Sequence, residues 1–233
     1  MNFGEIKSVL NAKLNLNAKK MVFVLLFAFT ALIAARLNFS SLMGAENEAF
    51  TLFQFFAPAT GAFLGPVFGA LSIVLAQTAN FVLLGKAPSL FSIARIFPLA
   101  LAALYFGSKK RKIVALVPVA CMALFVLHPV GQQAWFYSLY WLIPVAAAFS
   151  DRLFLKSLGS TFTAHAIGSI AFLYLLPSVP ELWIALIPVV FVERILFALG
   201  ISVSFVAFNT ALAKIETIIP SNTVSVDKRY VVG

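Results

Sequence analysis

Long apolar runs alternate along this chain with short polar or basic breaks, and the spacing of the breaks predicts membrane-length helices. Crossing about 30 Å of hydrocarbon takes about 20 helical residues. Residues 50–84 as one helix would measure about 52 Å at 1.5 Å per residue. Gly65-Pro66, where proline interrupts helical hydrogen bonding, is therefore read as the break between a short second segment and a third. Gly61, Gly65 and Gly69 recur there at four-residue spacing, which lets backbones approach closely. The next break falls at Lys86-Ala87-Pro88, and the basic run Lys109-Lys110-Arg111-Lys112 closes the fourth segment. Further segments are expected at 113–127, 134–149, 158–176 and 182–213, and a first at 21–35. The expected fold is all-α, a polytopic membrane helix bundle of about eight transmembrane segments.

Composition agrees with that class. The chain is 62% hydrophobic and 11% charged with 25 Phe among 233 residues, and its mean hydropathy is +1.00. A soluble domain is about half apolar and a quarter charged. The net charge of +9 would point to nucleic acid in a soluble protein, but here the basic residues sit at segment ends. They are read instead as topology determinants and anionic-lipid contacts. With Lys19 and Lys20 in the cytoplasm, eight passes bring residues 109–112, 151–156, Lys214, Lys228 and Arg229 to the same side. Glu46, Glu48, Lys86, the 128–131 turn and residues 177–181 fall outside. This predicts residues 1–20 as a cytoplasmic amphipathic lead-in, 21–213 as the transmembrane domain and 214–233 as a cytoplasmic tail, with both termini inside. Ile33-Ala34-Ala35 is a degenerate cleavage site, so the first helix is expected to stay in the multi-pass cell-membrane protein.

Costly polar groups then mark candidate chemistry. Counted from the outer ends, Gln54 and Asn80 lie roughly 6 Å deep, Gln77 and Arg95 roughly 10 Å, and Glu193 and Arg194 roughly 16 Å. Clustering in the outer half on several helices is expected of a cavity open to the outside. Arg95, a planar fork suited to carboxylate or phosphate, is the candidate anion or carbonyl contact, with Glu193 accepting hydrogen bonds or balancing its charge. The alternative is that Arg95 and Glu193 pair within the bundle and bind nothing. Glu193 and Arg194 project about 100° apart on a helix, so one of them is expected to face a neighbouring helix. Trp135, Phe136, Tyr137, Tyr140, Trp141 and Trp183 read as an interfacial belt, with a stacking surface for a flat ligand as the other reading. His165, on the small-residue face 164–168, is expected to be a hydrogen-bonded packing residue, and His128 a loop residue.

Several classes are disfavoured. The single cysteine, Cys121, allows no intramolecular disulfide or thiolate metal cluster. No HExxH, GxSxG or GxxxxGK[ST] motif is present, and no second carboxylate adjoins Glu193. The expectation is a non-enzyme without cofactor or metal. A membrane scaffold or assembly subunit without a ligand remains the main alternative, an intramembrane enzyme a lesser one.

The short second helix, the Gly65-Pro66 turn within Phe55-Phe56-Ala57-Pro58-Ala59-Thr60-Gly61-Ala62-Phe63-Leu64-Gly65-Pro66-Val67-Phe68-Gly69-Ala70-Leu71-Ser72, and a fourth helix ending at Gly107-Ser108-Lys109 form one pattern. Together with the pair of segments around His165-Ala166-Ile167-Gly168 and Glu193-Arg194, it resembles the substrate-binding S component of energy-coupling-factor vitamin transporters. The resemblance covers about two-thirds of the chain. It implies capture of a small vitamin-like solute from outside, with Gln54, Gln77, Asn80, Arg95, Trp183, Glu193 and Arg194 as substrate-binding candidates. Other chains would supply a transmembrane coupling protein and ATPase subunits. That family has six membrane helices, so residues 113–149 would be an inserted hairpin. Its first helix docks the coupling protein through an AxxxA patch. Ala31 and Ala35 have that spacing, with Ala28 nearby, but lie towards the outer end. Metal-capturing members carry His at position 2, where this chain has Asn2.

Overall fold

A computed structural model describes residues 27–45, 48–83, 85, 88–218 and 225–232. The expected lead-in 1–20, Glu46 and Lys86 lie outside the described residues. After a helical stretch at 27–34 come an antiparallel hairpin, β1 (Asn38–Ser41) and β2 (Ala49–Thr51), and then the main helices. These are α1 (Pro66–Leu83), α2 (Leu90–Ala94), α3 (Phe97–Gly107), α4 (Leu116–Leu127), α5 (Leu142–Ala147), α6 (Leu153–Leu175) and α7 (Pro180–Ile218). Among the described residues, four spans are long and apolar enough to cross a membrane: α1, the joined α2–α3, α6, and α7 as far as Lys214. The fold is thus a helix bundle with one short strand pair that the apolar pattern did not announce.

The central helix is α6. Buried residues make up 61% of its apolar window, against 17% for α1. Small and hydroxylated residues line it, and buried hydroxyls among them find partners within α6 or on a neighbouring helix. Ser160 Oγ donates to Ala102 O at 2.8 Å and Thr163 Oγ1 to Gly159 O at 2.8 Å, so the buried polar atoms cost little. Tight packing of α3 on α6 follows from the same choice, because a side chain at Gly159 would meet the Tyr105 ring.

The second expected segment is not a helix. Residues Leu52–Phe55 and Ala57–Ala59 form 3-10 turns and Thr60–Phe63 a single α turn. Pro58 lacks a backbone donor and Gly61 has no Cβ, so a long helix has weak local support here. The irregular chain is buried at Phe53, Phe56, Ala57, Ala59 and Phe63, the setting in which broken backbone is tolerated among apolar spans. Gly65 makes the expected turn with φ +85°, and the glycine spacing does bring backbones together. A Cβ on Gly61 would lie 1.9 Å from Ala103 O, and one on Gly107 would lie 2.1 Å from Gly61 O.

Residues 113–149 are also shorter than expected as membrane passes. Helix α4 has 12 residues, about 18 Å, and the return leg runs as the 3-10 stretch Trp135–Trp141 into α5. Pro118, Pro129 and Pro144 divide this hairpin, which packs against α6.

One end of the bundle gathers the basic residues. Arg111 donates to Ser150 O at 3.1 Å and pairs with Asp151, and the Arg111 contact holds the exposed Asp151 carboxyl below the usual carboxylate range. The expected tail is not free-standing. Residues 214–218 continue α7, and 225–232 fold back on it. The buried Asn209 amide donates to Asp227 O at 2.8 Å and accepts from Asp227 N at 2.8 Å. Tyr230 packs on Phe205 and Val232 N donates to Thr210 Oγ1 at 3.0 Å. Hydrogen bonds from Arg229 hold the Asp227 carboxyl below its ordinary value. Its contribution is therefore present above the unfolded carboxylate range and is lost as pH falls through the lowered value. Asn209→Leu is expected to cost about 2 kcal/mol through two lost hydrogen bonds and to open Lys228 and Arg229 to trypsin at neutral pH. Equal trypsin rates for variant and wild type would contradict this docking.

Candidate ligand cavity

A cavity of about 710 Å³ lies between the β1–β2 hairpin and α1, α2–α3, α6 and α7, towards the end away from the basic cluster. That volume falls within the range of small-molecule sites, roughly 300–1,000 Å³. Gln54, Gln77, Asn80, Arg95, Trp183, Glu193 and Arg194 all line it. The chain places them there by four separate elements, with Gln77 and Asn80 on one face of α1 through their three-residue spacing.

Their partners differ from the expected ones. Arg95, at the break between α2 and α3, pairs with Glu48 of the hairpin and donates through its other amino group to Ala49 O at 2.8 Å. It makes no pair with Glu193. Glu193 Oε1 instead accepts from Ser40 Oγ at 2.5 Å, and Glu193 Oε2 takes Arg194 at 3.2 Å. The adjacent residues thus both reach the cavity wall, because long side chains can bend towards one another across the 100° between them. Arg194 is 98% buried (2% exposed), and its guanidinium rests 4.9 Å from the Phe50 ring and 4.5 Å from Phe197. Burial with aromatic contact suits the weakly hydrated guanidinium.

The amides behave differently from one another. Gln77 Nε2 donates to Ile96 O at 2.8 Å, tying α1 to the α2–α3 break. Asn80 Oδ1 is buried without a hydrogen-bond partner, and so is Arg194 Nε. Buried polar atoms are nearly always paired in folded proteins, so each orphan calls for an explanation.

The opposite wall is aromatic. Trp183 is buried, with ring centroids 5.0 Å from Tyr137, 4.9 Å from Phe125 and 5.7 Å from Phe172. Tyr137 and Trp141 are buried with it, while Trp135 is 52% and Phe136 36% exposed. The interfacial-belt reading therefore fails for Tyr137, Trp141 and Trp183, which form a core cluster. His165 joins them as a hydrogen-bonded residue: Trp141 Nε1 donates to its Nδ1 at 3.1 Å, and its Nε2 lies 2.8 Å from Tyr137 Oη. The indole donor assigns the proton to Nε2, so the ring is neutral. His128 caps the turn Pro129–Gln133, accepting from Val130 N at 3.2 Å.

Ala31 and Ala35 line the same cavity, and Ala31 is buried in the core beside Phe27. Their shared face turns inward rather than away from the bundle. Sequence reasoning placed Glu48 only in a loop and did not single out Ser40 or Phe50. Nothing in their local pattern marks them, since a hairpin residue meets Arg95 only through tertiary folding. Among the described residues no group of three His, Cys, Asp or Glu could hold a metal ion. No family model matches the chain, and neither a curated protein nor a solved structure matches it.

Proposed function

We infer that the protein is a multi-pass cell-membrane subunit that captures a small vitamin-like solute from outside for uptake. One observation carries this reading: polar groups from four elements converge on one cavity, and two of their buried atoms have no partner in the protein. A ligand would supply those partners, and a scaffold would have no use for them. In this reading the chain makes eight passes with both termini cytoplasmic. Residues 50–64 cross as irregular chain shielded by neighbours, 113–149 as a short hairpin, and the basic end faces the cytoplasm by the positive-inside rule. The S-component resemblance extends the proposal to release through a transmembrane coupling protein and ATPase subunits on other chains. The Arg95–Glu48 pair, already satisfied inside the protein, is what favours the scaffold alternative.

Filling the cavity tests the proposal. Gly168 lines it, and a Cβ there meets only Pro98 Cγ at 3.9 Å. Gly168→Leu is expected to keep the wild-type unfolding temperature while losing small molecules that co-purify with the wild type, read by mass spectrometry of denatured samples. A wild-type protein that carries no solute, and that no metabolite in a library screen stabilises, would remove the reading.

A further inference from the structure

The charges facing the cavity define the solute it takes, an inference that rests on the ligand-binding reading above. Among the described residues, Arg36, Arg95 and Arg194 line the cavity against Glu48 and Glu193. Three cations against two anions leave one positive charge in excess, and His165 adds none because its Nδ1 accepts the indole N–H.

The two paired arginines are not equivalent: Arg95 is half-buried and Arg194 fully buried. Arg95 is engaged at both amino groups, by Glu48 and by Ala49 O. Arg194 makes one hydrogen bond, to Glu193 Oε2 at 3.2 Å, and the other oxygen of that carboxylate is held by Ser40 at 2.5 Å. A guanidinium has five N–H donors in a fixed plane. Phe50 and Phe197 engage the Arg194 cation but accept no in-plane hydrogen bond, and its Nε is buried without a partner. A cation so enclosed, with donors unsatisfied, is the strongest demand for an acceptor anywhere on the cavity wall.

What lies beyond it is apolar. Trp183, Val190 and Arg194 recur at spacings of seven and four, so they share one stripe of α7, about 16 Å from end to end. Phe91, Phe172 and Leu186 continue that wall. We propose that the cavity binds a small organic monocarboxylate. Its carboxylate sits on the N–H edge of Arg194, and its apolar body extends along the stripe towards Trp183. A carboxylate matches the planar fork of Arg194, and with Arg95 and Arg194 each paired, exposed Arg36 supplies the cavity's uncompensated positive charge.

Three probes with one body and different heads decide this: 6-phenylhexanoate, 6-phenylhexanamide and 6-phenylhexylamine, with inorganic phosphate as a fourth arm. Binding is read in nanodiscs by thermal unfolding and tryptophan fluorescence, with empty nanodiscs as the blank. The acid is expected to bind about ten- to a hundredfold tighter than the amide, with the amine weakest and phosphate without effect. Glu193→Gln/Arg194→Gln removes both charges together, so it leaves no lone buried ion. It is expected to bind acid and amide alike. An amide or amine that equals the acid on the wild type overturns the carboxylate assignment and leaves the ligand-binding reading intact. An acid preference that survives in the double variant, silence of all three organic probes, or a response to phosphate alone also overturns the assignment. The ligand-binding reading is judged separately, by the solute that co-purifies.

Discussion

Glu193→Gln should destabilise the protein by about 3–5 kcal/mol, the largest effect expected of a single charge change in this chain. Among the described residues, Glu193 is the only carboxylate bonded to Arg194, whose side chain is 3% exposed. Arginine cannot shed its proton to escape the loss. The variant therefore keeps a full positive charge enclosed by Phe50 and Phe197 with no counter-ion. Ser40 can still hydrogen-bond the new amide, so local geometry survives and the charge alone is tested. Adding Arg194→Met, whose flexible apolar chain can lie against the same rings, should return stability to within about 1.5 kcal/mol of wild type. Chemical or thermal unfolding in detergent measures both. If Glu193→Gln is neutral, or the double variant is worse than the single one, the buried pair does not have the energetics assigned to it.

Gly61→Ala should cost about 3 kcal/mol, at the upper end of the usual overpacking range. The added methyl would meet Ala103 O at 1.9 Å and Gly107 N at 3.1 Å, and both are backbone atoms on α3. No rotamer change relieves such a clash; α3 must move away from the irregular 50–64 chain, and α3 is also packed against α6. Gly65→Ala is the informative comparison. A Cβ there meets nothing within 4 Å, but φ is +85°, so only backbone strain of about 1–2 kcal/mol is expected. Equal unfolding midpoints for the two variants would show that close approach at Gly61 is not what holds the irregular 50–64 chain against α3.

Much of the architecture is legible in residues 50–111. Gly65-Pro66 marks a turn because proline ends hydrogen bonding and glycine accepts positive φ. The apolar lengths of α1, α2–α3, α6 and α7 identify them as possible spans. Where the pattern misled, hydrophobicity was present for another reason. Residues 50–64 are apolar because they are buried, not because they are helical. Tyr137, Trp141 and Trp183 look like interface residues by type, yet Tyr137 and Trp141 pack on His165, and Trp183 packs on Tyr137 and Phe172.

The sequence by itself determined that this chain belongs with apolar bundles, and that its few polar side chains fall at similar depths near one end. Depth follows from counting residues along a helix, and it needs no knowledge of neighbours. Only the tertiary structure decided who pairs with whom: Arg95 with Glu48 across 47 positions, and Glu193 with Ser40 across 153. Helical periodicity fixes the direction of a side chain relative to its own axis. The partner it meets depends on how separate helices pack and where a short hairpin folds between them, and no local pattern encodes that.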